Sequence, residues 1–244
     1  MKDLIKADMA RILRTKLIYV CLVFILFRLM DQIFQQMNKE GFGAKAYIEG
    51  VHNALGGQIY GALYLVIPVF IAVYSNEIPA KAMQCMLGHG LKRDELIMAK
   101  LIDAALLLAG YFVIISALLL ILNDDSVAMS DMQNRNMAIY ILFTYIRFYG
   151  YIVFSAMVMF LTNSAAAGIV TCVAFTAIFK LTFTVLNVFT DFTIYDYTFD
   201  GQLDLSYGLI EAGRFGWQII PALIYLIAGV VITIVFFRRK EFEF

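Results

Sequence analysis

The sequence predicts an all-α polytopic membrane protein, a bundle of six transmembrane helices, and three observations carry that expectation. First, 62% of the 244 residues are hydrophobic and only 16% are charged, with a mean hydropathy of +0.80. A soluble domain carries about a quarter charged residues, and a disordered chain lacks apolar surface altogether. Second, apolar windows long enough to span appear at 17–34, 59–74, 101–122, 137–161, 165–189 and 217–237, each bounded by charged or turn-forming residues. None alternates with the period of two that a barrel strand needs, and in lipid the backbone must satisfy its own hydrogen bonds, so helices remain. Third, the two signs of charge fall in different connections.

Taken in chain order, residues 1–16 (MKDLIKADMARILRTK) put Ile5, Met9 and Ile12 at helical spacing, with most of the basic residues elsewhere. That pattern suits an interfacial amphipathic helix lying along the inner membrane surface. It is charged for too long and too mixed in sign for a signal peptide, so it is read as retained. Lys2, Lys6, Arg11, Arg14 and Lys16 precede the first window; Lys81, Lys92, Arg93 and Lys100 lie between the second and third; Arg238, Arg239 and Lys240 follow the sixth. The alternate connections hold acids: Glu40 and Glu49, then Asp124, Asp125 and Asp131, then Asp191, Asp196, Asp200, Asp204 and Glu211. The positive-inside rule then makes the termini and residues 75–100 cytoplasmic in a multi-pass cell-membrane protein. The whole chain, 1–244, reads as one transmembrane domain with no linker long enough to separate domains.

The outer segment 191–216 mixes Phe192, Tyr195, Tyr197, Phe199 and Tyr207 with spaced acids, a composition suited to the headgroup layer and to short helices dipping into the membrane. Equal totals of 19 basic and 19 acidic residues argue against a nucleic-acid partner. Cys21, Cys85 and Cys172 show no disulfide pattern.

Residues 75–100 are the most patterned connection. Met83, Met86 and Leu87 sit at helical spacing, Gly88 and Gly90 break the helix, and Leu91-Lys92-Arg93-Asp94-Glu95 restarts one that runs into the third window. A short helix across the cytoplasmic mouth of a bundle fits a groove of another protein; an ordinary basic loop that holds topology is the alternative.

Glu77, then that short helix, then Gly90-Leu91-Lys92-Arg93 and a closing Ala99-Lys100 resemble the segment between the second and third spans of permeases in the type-2 ATP-binding-cassette (ABC) exporter superfamily. The chain has Lys92 where serine is usual, Ala99 where glycine is usual, and no proline after Gly90. The strict likeness covers about 25 residues of pattern, and the six-window plan extends it loosely. The resemblance implies that residues 80–87 are a coupling helix inserting into an ATPase subunit, that the N-terminal helix is a connecting helix beside it, and that Glu77, Lys81, Met83, Met86, Leu87, Gly90, Arg93 and Lys100 form the ATPase-coupling loop. It further implies two ABC ATPase partners holding ATP and Mg, and a second permease copy, identical or homologous. This chain carries no phosphate loop and no cofactor of its own. Ala54-Leu55-Gly56-Gly57-Gln58 mimics the ATPase signature peptide but lies on the outer side without a phosphate loop to complement it.

Ionisable residues inside spans are costly and point to function or to pairing. Arg28 and Asp31 stand three apart on one helical face and suit a mutual salt bridge near the outer end. Arg147 and Lys180 lie deep in the fourth and fifth windows, lining a path or pairing with an acid from a neighbouring helix. Asp103 and Glu77 fall near cytoplasmic ends, where water is expected to reach them. His52 and His89 belong to opposite sides, no metal-ligand or hydrolase motif is present, and no catalytic residue is expected. The expected function is therefore the membrane subunit of an ATP-driven exporter, of peptides or in immunity to antimicrobial peptides, with an ion-coupled secondary transporter as the alternative.

Overall fold

The computed structural model describes residues 2–56, 62–75, 92–123, 127, 129–179, 182–183, 185–186 and 194–239. All regular elements among these residues are helical. Four helices are long and apolar enough to cross a membrane: Lys16–Glu40, Arg93–Leu122, Asp131–Thr162 and Ile219–Phe237. They coincide with the first, third, fourth and sixth apolar windows. The second and fifth windows form shorter apolar helices, Tyr64–Tyr74 and Ala165–Thr176.

Helix α1 (Lys2–Ile12) has Asp3 in its first turn and Arg11 in its last, each complementing the helix dipole. It buries Asp8 and Ile12 and exposes Lys6 and Arg11. Helix α2 (Lys16–Glu40) buries the single stripe Ile18, Ile25, Leu29, Ile33 and Met37. The rest of its apolar surface, including Val23, Phe24 and Phe27, is exposed, as a helix facing lipid requires.

Residues 35–58 were expected to be an outer connection, but they contain a 13-residue helix, α3 (Ala44–Gly56), folded back along α2. Gly41, at φ +88°, makes the reversal. Contact is backbone to backbone: a Cβ on Gly50 would stand 2.6 Å from Ile33 Cα. The helix forms because Tyr47, Val51, Ala54 and Leu55 present one buried face.

The second window is irregular. A four-residue α4 (Ile67–Phe70) is flanked by wide π-type turns at Ala62–Val66 and Ile71–Ser75. Pro68 supplies no backbone N–H, which accounts for a disturbed ladder around it. Helix α5 (Arg93–Leu122) begins with Asp94 and Glu95 in its first turn. Helix α6 (Asp131–Thr162) opens on a Ser130–Gln133 capping box and ends at Asn163, in the left-handed region. Helix α7 (Ala165–Val173) follows at once, capped by Ser164, and continues through a π-type turn at Ala174–Ile178.

A 3₁₀ turn (Ile194–Tyr197), helix α8 (Phe199–Glu211) and helix α9 (Ile219–Arg239) complete the fold. Helix α6 is its centre: 56% of its apolar window is buried, against 22% for α2 and 17% for α9. It packs on α5, α7, α8 and α9.

Candidate functional site

The polar centre of the bundle is built on α6 and α8. Helix α8 runs antiparallel along α6: Phe199 lies against Gly150, Tyr207 lies beside Tyr140 and Phe143, and Ile210 shares a cavity wall with Ile139. With a rise of about 1.5 Å per residue, Gly150 lies about 20 Å along α6 from Met137, where its apolar run begins. The first turn of α8 therefore sits deep beside the apolar stretch of α6, consistent with the dipping helices expected for 191–216. A side chain at position 150 would occupy the space of the Phe199 ring, so this approach depends on glycine.

The descent carries Asp200 and Asp204 to the level of Arg147. The guanidinium of Arg147 pairs with Asp204 through Nη2, and its Nε is 3.6 Å from Asp200 Oδ1. The Tyr151 hydroxyl donates to Asp200 Oδ2 at 2.6 Å, and the Tyr195 hydroxyl donates to Asp204 Oδ2 at 2.6 Å. Burial, with Asp204 beside it, pushes the Tyr195 phenol up, so it keeps its proton and remains a donor. Thr198 caps α8 by accepting from the Gly201 N–H at 3.1 Å, and Asp200 in the first turn meets the positive end of the helix dipole.

Beside this cluster lies a cavity of about 250 Å³ lined by Tyr151, Phe154, Phe175, Phe179, Tyr197 and Asp200, among others. Aromatic faces carry partial negative charge, so the wall favours apolar or cationic groups over anions.

A second polar assembly lies at the opposite end of the bundle. Lys100 is fully buried, and its Nζ is 2.6 Å from Asp8 Oδ2 on α1. Arg11 stands 3.7 Å from the same carboxylate. Arg93 Nη1 donates to the Phe237 carbonyl at 3.3 Å, joining the start of α5 to the end of α9. Phe160 closes on the Phe237 ring at 5.0 Å between centroids. Asp103, expected within reach of water, is instead fully buried, because α1, α9 and the turn at Ile71–Ser75 cover this end of α5.

At the α3 end, the His52 ring lies 4.1 Å from Tyr140 and 6.1 Å from Tyr207, joining α3, α6 and α8. Burial draws the His52 pKa down, against the pull of Glu211 and Glu49.

Of the residues singled out in sequence, Glu77, Lys81, Met83, Met86, Leu87, Gly90 and Lys180 lie outside the described residues. Arg93 and Lys100 meet different partners at the same end of α5. Arg147 has the acidic neighbours that one of its two readings required. Arg28 is half-buried, whereas Asp31 is exposed and accepts from Gln35 Nε2 at 2.8 Å. These two stand on α2, apart from the Arg147 cluster on α6 and α8.

Asp8, Tyr151 and Tyr195 had not been singled out as site residues. A signal did exist: Arg147 and Tyr151 are spaced four apart, as are Asp200 and Asp204, so each pair forms a stripe on one helical face. Compared with known protein families and with curated proteins, the chain has no significant match to a family model or to an individual protein.

Proposed function

We propose that this chain is the transmembrane subunit of an ATP-driven exporter of the type-2 ABC class, with six spans and both termini cytoplasmic. It works with a second permease copy and two separate ATPase subunits that hold ATP and Mg. The observation that carries this reading is the Asp8–Lys100 pair: it ties α1 to α5 at the closing residue of the segment that resembles a coupling loop. A push that reaches α5 is then shared, through Arg93 and Phe237, with α9. ATP binding does work in such a device through its different affinity for the inward-open and outward-open states. Peptides, including antimicrobial peptides exported for self-protection, are the substrate class that the resemblance favours.

The test is co-purification of the full chain with an ATPase bearing a phosphate loop and the signature peptide, followed by transport-linked ATP hydrolysis. Arg93→Glu and Met83→Pro are each expected to abolish that hydrolysis while membrane insertion persists. A stably made chain that never retains an ATPase, or unchanged hydrolysis in both variants, overturns the reading.

The buried Asp200 and the half-buried Asp204 opposite Arg147 favour one other reading, an ion-coupled secondary transporter. Uptake or efflux by the chain alone in vesicles, driven by an imposed proton or sodium gradient without ATP, would select it.

A further inference from the structure

The acidic connections around α8 hold two arginines that the Arg147 centre does not use. Arg135 stands in the first turns of α6, two residues before its first buried apolar residue, Met137. Arg214 stands just before α9, in the turn that follows α8. Both line one cavity of about 490 Å³ whose remaining walls include Ile139, Ile210, Phe215 and Ile219. Neither guanidinium forms an ion pair or side-chain hydrogen bond with a described residue, although acids are plentiful in these connections. By contrast, Lys45 at the same end of the bundle is bracketed by Glu40 at 3.5 Å and Glu49 at 3.6 Å.

Exposed Phe215 and Trp217 pack edge to face at 4.7 Å along the rim. Aromatic side chains of this kind settle at the headgroup layer, and the apolar stretches of α6 and α9 begin at the same place. Two guanidiniums without a partner among the described residues, set over an apolar wall, provide forked donors for phosphate oxygens and a greasy surface for acyl carbon.

We propose that the cavity between α6, α8 and α9 binds the phosphate of an anionic phospholipid, with Arg135 and Arg214 on the headgroup and Ile139, Ile210 and Ile219 along the chain. A lipid seated there would touch all three helices and so hold α8 against α6 at the level above the Arg147 cluster. The inference requires only that these helices sit in a bilayer; it does not rest on the exporter reading.

Trp217 is the chain's single tryptophan, which makes its fluorescence a direct reporter. The full chain would be reconstituted in phosphatidylcholine vesicles containing a small fraction of brominated phosphatidylglycerol or, separately, brominated phosphatidylcholine. Brominated phosphatidylglycerol is expected to quench at about tenfold lower mole fraction, because each arginine contributes attraction at the anionic headgroup. Arg135→Gln/Arg214→Gln should bring the two curves together, whereas Lys39→Gln/Lys45→Gln, on the same face, should leave the preference intact. Both arginines are exposed, so their loss does not threaten folding. Ile139→Trp/Trp217→Phe keeps both guanidiniums and reads the cavity wall itself; its new tryptophan should show the same preference.

Inorganic phosphate distinguishes a lipid from a free anion as the source. At millimolar concentration it should leave the lipid preference unchanged. Displacement by phosphate would assign the site to free anions and overturn the lipid assignment. Equal quenching by the two lipids in the wild-type protein, or an undiminished preference in the double arginine variant, would remove the proposal altogether.

Discussion

Lys100 and Asp8 are 92 positions apart in sequence and 2.6 Å apart in space, with the lysine wholly removed from solvent. The pair joins the buried Ile12 in holding α1 to the bundle. Removing either partner takes from the other its 2.6 Å contact in a place largely closed to water. Asp8→Asn or Lys100→Met should therefore lower stability in detergent by about 3 kcal/mol or more. The double replacement Asp8→Leu/Lys100→Met should recover much of that loss, since neither charge of the pair remains to be buried without the other. A thermal-denaturation cycle over the four proteins measures the coupling; strictly additive losses would mean that the pair contributes nothing as a pair.

Arg147 offers a graded version of the same argument. It is the described cation between Asp200, whose side chain is 4% exposed, and Asp204, whose side chain is 38% exposed. Arg147→Met leaves two carboxylates without their shared cation and should cost about 3 to 5 kcal/mol, a large part of the stability of a typical fold. Asp204→Asn should cost about 1 kcal/mol or less, because water already screens that carboxylate. Asp200→Asn should fall between them, since its amide oxygen still accepts from Tyr151. Arg147→Lys should not rescue fully, because one ammonium cannot reach two carboxylates as a planar fork does. Folded yield after membrane extraction ranks the four; an intact Arg147→Met protein would contradict the assignment.

The charge and apolar windows of the sequence located Arg147 as an anomaly and Asp200 and Asp204 as outer acids, but not their meeting. That meeting depends on the depth of α8, which rests on Gly150 leaving room for the Phe199 ring. No periodicity announces such a vacancy. The long uniform helices were legible because length and hydropathy suffice for them: α2, α5, α6 and α9 coincide with four windows. Helix α3 escaped because Lys45, Glu49, His52 and Asn53 dilute its hydropathy, although Tyr47, Val51 and Ala54 carry a helical stripe. Asp103 was misjudged for a related reason. Its place near a helix end suggested water, and only the packing of α1, α9 and the turn at Ile71–Ser75 shows that the end is covered.

Gly150 yields a prediction that separates packing from charge. Gly150→Val should push Phe199 away and loosen α8 from α6, costing about 1 to 3 kcal/mol as overpacking does. Phe199→Ala alone should also destabilise, by opening a cavity. Together the two should cost less than the sum, because the truncated ring vacates the space that the valine needs. A cysteine at Ser206, buried on α8, reports the loosening through its rate of modification by a small maleimide. If that rate rises in Gly150→Val and falls again in the double variant, the close approach is established; no change in either rules it out.

His52 gives the junction of α3, α6 and α8 a definite pH dependence. Its pKa in the folded protein lies below the ordinary value of 6.5, so the folded state favours the neutral ring packed on Tyr140. Between the two values the unfolded chain binds the proton more readily than the folded one, and stability must rise with pH across that interval. The contribution is fully present above pH 6.5 and declines as the pH falls through 6.5 towards the folded value. Glu49 and Glu211 oppose the decline by attracting the cation, so Glu211→Gln should steepen it. His52→Gln should flatten this part of the profile while leaving the acid limb of the carboxylates in place. Thermal unfolding of wild type and both variants between pH 7.5 and 5 reads the difference, and parallel profiles for wild type and His52→Gln would show that His52 does not titrate between these states.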